Sequence, residues 1–293
     1  MSLFLALALL QVGPLVSPGA APPIAQPPLR DARTRRRQAA PSVVAPAESN
    51  ALGECLKLAE SGEDGEAAAQ AWLQRTSGSA RAEPLLCLGT AQAAQENWAD
   101  AESAFLSGRD AAAASDHALK ARLGAMAGNA ALARGAADRA LAALDLARGD
   151  AEADPASDPH LAGEIAMDRA RALVMLKREP EAAAALVEAR TGSPNNAQAW
   201  LLSATLSRRM GKLAQAQAQI QTAAELAPRD PEIGLEAGVI AMLAGHEAAA
   251  RQSWQSVLAA APQSPQAETA RGYLAQLGPA GSAGSTTGAA IRK

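Results

Sequence analysis

A repeat period of about 34 residues near the C-terminal end constrains this chain more than any other feature. Residues 197–230 and 231–264 align without a gap. The matched pairs, all separated by the same interval, are Gly211 and Gly245, Ala216 and Ala250, Ile220 and Trp254, Ala223 and Val257, and Pro228 and Pro262. A fixed period of this length is typical of proteins built from stacked, repeated structural units.

Each window of this length predicts two helices. In the first window they run from about Ala197 to Met210 and from about Leu213 to Leu226. A glycine ends the first helix because it accepts a left-handed backbone, and a proline ends the second because it lacks an N–H group. Small residues such as Ala216 allow two helix axes to approach closely.

These residues resemble the tetratricopeptide repeat (TPR) family, whose unit is a helix–turn–helix of the same period. Trp200 stands at the opening Trp of that pattern, whereas Ser203, Ala204 and Ser207 replace its Leu, Gly and Tyr. The chain is therefore identified as a divergent, Ala-rich member of the family. The resemblance implies an all-α, right-handed superhelical α-solenoid, and the Ala- and Arg-rich composition is typical of a high-GC, Gram-negative bacterium.

The pattern extends over residues 49–277 and predicts about six repeats with a C-terminal capping helix. The predicted repeats are 49–81, 82–116, 117–154, 160–196, 197–230 and 231–264, and the capping helix is 265–277. An acidic, proline-containing loop is expected at 150–159. The Gly/Ser-rich segment 278–293 is expected to be a disordered tail.

Residues 1–29 carry no charged side chain and begin with a run of Leu, Ala and Phe. An apolar run followed by small residues predicts a signal peptide, here residues 1–21. No Lys or Arg precedes Arg30, so a short buried helix and a misassigned start codon stay open as alternatives. Gly13 and Pro14 interrupt the run, which argues against a stable membrane span in the mature chain.

Residues 22–48 are rich in proline and contain an arginine cluster at positions 30–37. Such a segment has little to bury and is expected to be a disordered linker. Contact with an acidic surface or nucleic acid is the alternative. The net charge of −3 and the lack of interleaved aromatic residues argue against a nucleic-acid partner.

The chain has two cysteines, Cys55 and Cys87, which fall in the first helices of adjacent repeats. In an exported protein an even number of cysteines favours a disulfide. Two buried free thiols are the alternative. Export would place the protein in the periplasm or outside the cell.

No motif for catalysis, metal binding or a cofactor stands out. His117, His160 and His246 lie in three different repeats and are expected to be surface residues. Glu63, Asp64 and Glu66 are expected in a solvated turn, whereas paired carboxylates in catalysis need a pocket. An enzyme on this scaffold would need such a pocket, so the chain is predicted to be non-catalytic and to need no cofactor or metal.

The resemblance implies that the first helix of each repeat lines a concave groove. The residues this places in the groove are Arg122, Asn129, Met167, Arg171, Met175, Leu201, Thr205, Arg208, Arg209, Leu235, Val239 and Met242. Arginines can pair with carboxylates, and Met and Leu can make adaptable apolar contacts. An extended or acidic peptide is therefore the expected ligand, with ordinary solvated surface as the alternative for the arginines.

The predicted function is a protein-interaction scaffold or adaptor that binds a partner peptide or protein of unknown identity. A cell-envelope assembly or secretion factor, acting with peptidoglycan enzymes or outer-membrane components, is the alternative.

Overall fold

The computed structural model describes residues 50–277, except 61, 62, 155 and 157. Within that part of the chain the secondary structure is helical, with no strand. The predicted signal peptide 1–21, the linker 22–48 and the tail 278–293 lie outside the described residues.

The thirteen α-helices of the described residues form six pairs that agree with the predicted repeats, followed by the capping helix. They are α1 Ala51–Ala59, α2 Glu63–Leu73, α3 Ala82–Ala94, α4 Trp98–Ala111, α5 His117–Ala133, α6 Ala137–Ala153, α7 Pro159–Met175, α8 Glu179–Gly192, α9 Ala197–Arg209, α10 Leu213–Leu226, α11 Pro231–Leu243, α12 Glu247–Ala260 and α13 Pro265–Leu277. A short 3-10 helix, Gly78–Arg81, precedes α3. The predicted helices at 213–226 and 265–277 agree with α10 and α13.

The chain divides into two compact units, unit 1 ending at Lys177 and unit 2 beginning at Arg178. In unit 1, α1 and α2 pack on α3, and α3 to α6 each pack on the next helix along the chain. In unit 2, α8 packs on α9, the order continues to α12, and α13 packs on α11 and α12. The boundary falls between the two helices of the fourth predicted repeat, a division that the sequence period does not show.

Side-chain caps start the first helices of several hairpins. The carboxylate of Asp116 accepts a hydrogen bond from the Leu119 N–H, and that of Asp230 accepts from the Glu232 N–H. The Asn196 side chain accepts from the Gln198 N–H in the same way. These contacts satisfy donors that have no partner inside the helix, so each first helix begins at a defined residue.

A left-handed residue ends the first helix of several hairpins. Gly211 has φ +73°, and the next N–H, of Lys212, donates to the Ser207 carbonyl. This is the Schellman arrangement, which favours glycine because other residues are strained there. Glu96 and Lys177 take the same left-handed conformation, with φ +60°, although neither is a glycine.

Glycines on the first helices of three hairpins make room for large apolar side chains of the second helices. A Cβ atom added to Gly89 would lie 2.5 Å from the Phe105 ring, and one added to Gly128 would lie 2.4 Å from Leu144. In α11 a Cβ on Gly238 would lie 2.1 Å from Trp254 Nε1. Glycine on the first helix therefore lets the second helix seat a bulky side chain against the backbone.

The acidic loop predicted at 150–159 is wrong in its first part, because α6 continues to Ala153. Asp150 is buried in α6, where its carboxylate contacts Arg109 of α4 at 2.8 Å and Lys120 of α5 at 3.7 Å. The two cations compensate the buried charge of Asp150. The acidic residue therefore connects α6 to α4 and α5 instead of lying in a solvated loop.

The solvated turn predicted for Glu63, Asp64 and Glu66 is also wrong, because α2 begins at Glu63. Glu66 is half-buried, and its carboxylate accepts hydrogen bonds from the Gln70 and Gln95 amides at 3.2 Å. The acidic residues thus occupy the first turn of a helix, where negative charge is favourable.

Among the described residues of unit 1, Glu102 of α4 is the most deeply buried acidic residue, at 1% exposure. Arg134 Nη2 lies 2.7 Å from one carboxylate oxygen, and Arg139 Nε lies 2.6 Å from the other. The two arginines flank the turn between α5 and α6, so this charge cluster anchors that turn to the preceding hairpin.

Candidate binding face

The residues predicted to line a groove lie on α5 and α7 in unit 1 and on α9 and α11 in unit 2. Those at the surface are Arg122, Asn129, Met175, Arg209 and Met242. Those that are half-buried are Arg171, Thr205, Arg208, Leu235 and Val239.

Met167 and Leu201 do not line an accessible surface, contrary to the sequence prediction. Met167 is 9% exposed and Leu201 is 6% exposed. Leu201 belongs to a core cluster with Ile233 and Ile240 of α11, so it is covered by the neighbouring first helix. Helical spacing alone cannot separate a groove position from one that packs against the next helix, since the two are adjacent on the helix surface.

A buried carboxylate contacts two of the predicted groove residues in unit 1. Asp168 of α7 pairs with Arg171 one turn further along the same helix. Asn129 of α5 hydrogen-bonds the same carboxyl group and so joins the two first helices. Arg171 is therefore held by a residue of its own helix.

Burial raises the pKa of the Asp168 carboxyl above its ordinary value of 3.8. The charge of Arg171 and the hydrogen bonds from Arg171 and Asn129 act in the opposite direction but do not cancel the effect. The unfavourable effect of burial on the charged carboxylate is therefore larger than the favourable effect of its two partners.

A second ion pair lies in unit 2 and joins two helices. Arg208 Nε of α9 donates to Glu236 Oε1 of α11 at 2.7 Å, and the two side chains are 14% and 13% exposed. Arg209 Nη2 lies 3.5 Å from Glu179 Oε1 of α8. Both arginines therefore have carboxylate partners within unit 2.

Asp168 and Glu236 were not predicted as functional residues, although the sequence contains a signal for them. The two residues are separated by two repeat periods, so they occupy equivalent places in their first helices. An acidic residue at the same repeat position in two first helices, on the helices that carry the predicted groove residues, indicates ion pairs within the chain. The arginines were predicted to pair with carboxylates of a ligand, whereas Arg171 and Arg208 already pair with carboxylates of the chain itself.

Apolar side chains remain accessible at the C-terminal end of α11. Met242 is 40% exposed and Leu243 is 56% exposed. Val239 lies one turn before them and is half-buried. We define the first-helix face of unit 2 by the following residues: Thr205, Arg208, Arg209, Glu236, Val239, Met242 and Leu243.

Cys55 of α1 and Cys87 of α3 form a disulfide in the structure. Their Cα atoms are 6.0 Å apart, and both residues are buried. The surrounding cluster contains Ala59, Ala69 and Ala91 as its other buried members. Leu56, Trp72 and Leu88 pack against this cluster, and the covalent bond adds to the attachment of the first hairpin.

The three histidines do not come together. His117 begins α5, His160 lies in the first turn of α7 with its Nδ1 3.6 Å from Glu164, and His246 precedes α12. Within the described ranges no three His, Cys, Asp or Glu side chains are arranged to hold a metal ion. The helices described there also include none that is both long and apolar enough to cross a membrane.

Neither a protein-family model nor a curated protein sequence matches this chain. Solved structures do match. A crystal structure of MamA protein is 14% identical, with a TM-score of 0.51 over 66% of this chain and 94% of that chain. The structure described as MamA 41-end from Desulfovibrio magneticus RS-1 is also 14% identical, with a TM-score of 0.51 over 63% of this chain and 97% of that chain.

A third matching structure is that of YrrB, described as a TPR protein with an unusual peptide-binding site. It is 16% identical, with a TM-score of 0.49 over 64% of this chain and 91% of that chain. At these identities the likeness to MamA concerns the fold. Together with the repeated helical hairpins, it confirms the predicted fold class: the chain has a TPR-like helical-repeat fold.

Proposed function

We propose that this protein is a non-catalytic interaction scaffold that binds an apolar or amphipathic segment of a partner protein on the first-helix face of unit 2. The observation that carries the proposal is the accessible pair Met242 and Leu243 at the end of α11. Methionine adapts its shape to different apolar surfaces, and exposed apolar patches are typical of interaction sites.

The ion pairs on this face favour an apolar partner over the acidic peptide expected from the sequence. Arg208 is half-buried against Glu236, so a ligand carboxylate would have to displace an internal one. Arg209 lies within ion-pair distance of Glu179. The first-helix face of unit 2 therefore presents ion pairs without net charge beside accessible apolar side chains.

The proposal includes export to the periplasm or the cell exterior. The apolar leader predicted at 1–21 and the Cys55–Cys87 disulfide both support it, because disulfides persist mainly in oxidising compartments. Cell fractionation with thiol alkylation tests this part. Two alkylated thiols in protein from the cytosolic fraction would contradict it.

The binding proposal is tested by affinity capture from fractionated cells that produce the protein. The tagged wild-type chain is compared with a Met242→Glu/Leu243→Glu variant, which places charge on the apolar patch without disturbing buried residues. We expect partners captured by the wild type to be lost. The matched control is Leu226→Glu, which changes an apolar residue of 38% exposure at the end of α10.

Capture that is unchanged by the double substitution, or lost equally in the Leu226→Glu control, would contradict the assignment of this face. The identities of the captured proteins also decide the narrower alternative of a cell-envelope assembly or secretion factor. Peptidoglycan enzymes or outer-membrane components captured through this face would favour it.

A further inference from the structure

A cleft of about 210 Å³ lies between α8, α9 and α10, away from the residues of the first-helix face. Its lining residues are Ala183, Ala184, Leu186, Val187, Arg190, Ser203, Leu206, Ser207, Gln215 and Gln219. All of them belong to unit 2, and none belongs to the first-helix face.

The floor of the cleft is largely apolar and buried. Leu186 is 2% exposed and Leu206 is 3% exposed. Ser207 Oγ donates to Gln219 Oε1 at 2.7 Å, so these two buried polar groups satisfy each other. Val187 at the rim is 52% exposed, which leaves an accessible aliphatic surface at the entrance.

Arg190 is the charged group of the cleft, and its guanidinium is held in place by an aromatic ring. Its Cζ atom lies 4.8 Å from the centre of the Trp200 ring. Trp200 is itself oriented, because its Nε1 donates to the Pro194 carbonyl at 2.8 Å. Stacking on an indole face leaves the edge of a guanidinium, with its N–H donors, open to a ligand.

Arg190 differs from the arginines of the first-helix face in having no carboxylate partner among the described residues. Burial alone lowers the pKa of Arg190 from its ordinary value, and no acidic group acts in the other direction. The guanidinium nevertheless stays protonated near neutral pH, because arginine pKa values are so high. A cation that has lost part of its hydration and gained no counter-charge favours an incoming anion.

We propose that this cleft is a second recognition site, which binds a carboxylate-bearing side chain and a neighbouring aliphatic side chain from an acidic segment of a partner protein. Arg190 pairs with the carboxylate in a fork of two hydrogen bonds. Val187, Leu186 and Leu206 contact the aliphatic side chain. The volume is below the range of about 300–1,000 Å³ typical of small-molecule pockets and fits one or two side chains.

The test is a nuclear magnetic resonance titration of the full-length ¹⁵N-labelled protein with two tetrapeptides. One is acetyl-Gly-Leu-Glu-Gly-amide and the other carries Gln in place of Glu. The first peptide is expected to shift the Trp200 indole N–H and the backbone amides of α8 and α10. One ion pair and one apolar contact predict a Kd on the order of 1 mM. The Gln peptide is expected to leave these signals unchanged.

An Arg190→Gln variant is expected to bind the Glu peptide at least about tenfold more weakly, the loss corresponding to one charge-assisted contact. The matched control is Arg229→Gln, which removes an exposed positive charge from a loop of the same unit and is expected to bind as the wild type does. If Arg190→Gln disturbs the fold, Arg190→Lys replaces it. This variant keeps the charge but loses the planar fork, so severalfold weaker binding is expected.

Equal shifts with both peptides, unchanged binding by the Arg190 variants, or no shift up to about 10 mM peptide would overturn the proposal. The result is independent of the function proposed for the first-helix face. A Met242→Glu/Leu243→Glu protein is expected to bind the Glu peptide at the cleft as the wild type does, because the two sites share no residue.

Discussion

Arg208 of α9 donates a hydrogen bond to Glu236 of α11 at 2.7 Å and thereby joins two consecutive first helices of unit 2. The contact neutralises a carboxylate that is largely withdrawn from water. It gives Arg208 a structural role at a position where the sequence pattern predicted a ligand-binding role.

The Arg208–Glu236 pair is expected to contribute measurably to stability. In a double-mutant cycle with Arg208→Gln and Glu236→Gln, each single change should destabilise the protein, and the double variant should lose less than the sum. The expected coupling is about 1–3 kcal/mol, as for hydrogen bonds to charged groups. Denaturant unfolding measures it.

The control cycle uses Arg148 and Glu152, an exposed pair on α6 at 2.8 Å. Exposed helical pairs of this spacing contribute about 0.3–0.5 kcal/mol. Equal coupling in the two cycles would contradict the role given to Arg208.

Gly238→Ala is expected to destabilise unit 2 by about 1–3 kcal/mol, the usual cost of overpacking. The new methyl group would meet Trp254 Nε1 at 2.1 Å, and that atom is held by the Leu235 carbonyl at 3.2 Å. Thermal unfolding of the purified protein measures the change.

Gly272→Ala is the matched control for this substitution. Gly272 lies inside α13, and nothing lies within 4 Å of its added Cβ. The change should stabilise the helix by about 0.5–1 kcal/mol, because alanine is the better helix former. A similar loss in both variants would show that the contact with Trp254 is unimportant.

Removal of the disulfide is expected to loosen the first hairpin selectively. A Cys55→Ala/Cys87→Ala variant should lose about 2–4 kcal/mol of stability in α1 and α2, because the covalent bond no longer restricts the unfolded chain. Hydrogen exchange by mass spectrometry should show faster exchange in these helices and unchanged exchange in α9 to α12.

Reduction of the wild type should produce the same change, and it should have no further effect on the double variant. Unchanged protection of α1 and α2 after reduction would contradict this account of the first hairpin.

Asp168 gives a pH-dependent prediction. Its pKa is raised in the folded state, mainly by burial. Its favourable contribution is therefore fully present below the unfolded pKa, near 3.8, and is lost as the pH rises through the folded pKa. Asp168→Asn should become progressively more stable relative to the wild type as the pH rises above about 4.

Thermal unfolding across this pH range measures the difference. The control is Asp100→Asn, which removes one negative charge from an exposed position of α4 in the same unit. Its change in stability at each pH is subtracted from that of Asp168→Asn. A stability difference for Asp168→Asn that shrinks as the pH rises would have the wrong sign.

The helix positions could be predicted from the sequence because they depend on local chemistry. Proline and glycine end helices through their own backbone properties, so the spacing of Gly211, Pro228 and their equivalents gave the helix bounds closely. The same local reasoning failed at Asp150, where a polar, acidic stretch suggested a loop. The two cations that compensate its charge come from α4 and α5, which lie well before it in the sequence.

The residues of the binding face were harder to predict than the helices. The helical pattern places Leu201, Arg208 and Met242 on the first helices of two consecutive hairpins but does not show which of them a neighbouring helix covers. Contacts with α11 bury Leu201 and engage Arg208, whereas Met242 stays accessible. The stacking of Arg190 on Trp200 depends on a turn between two helices, which the periodic pattern does not describe.

Photo-crosslinking in the cells that produce the protein tests the central claim most directly. A photoreactive phenylalanine derivative is placed at Met242 on the first-helix face or at Leu226 at the end of α10, two apolar residues of similar exposure. We expect discrete protein adducts from position 242 and none from position 226. Adducts at both positions alike, or at position 226 alone, would contradict the assignment of the first-helix face as the partner-binding surface.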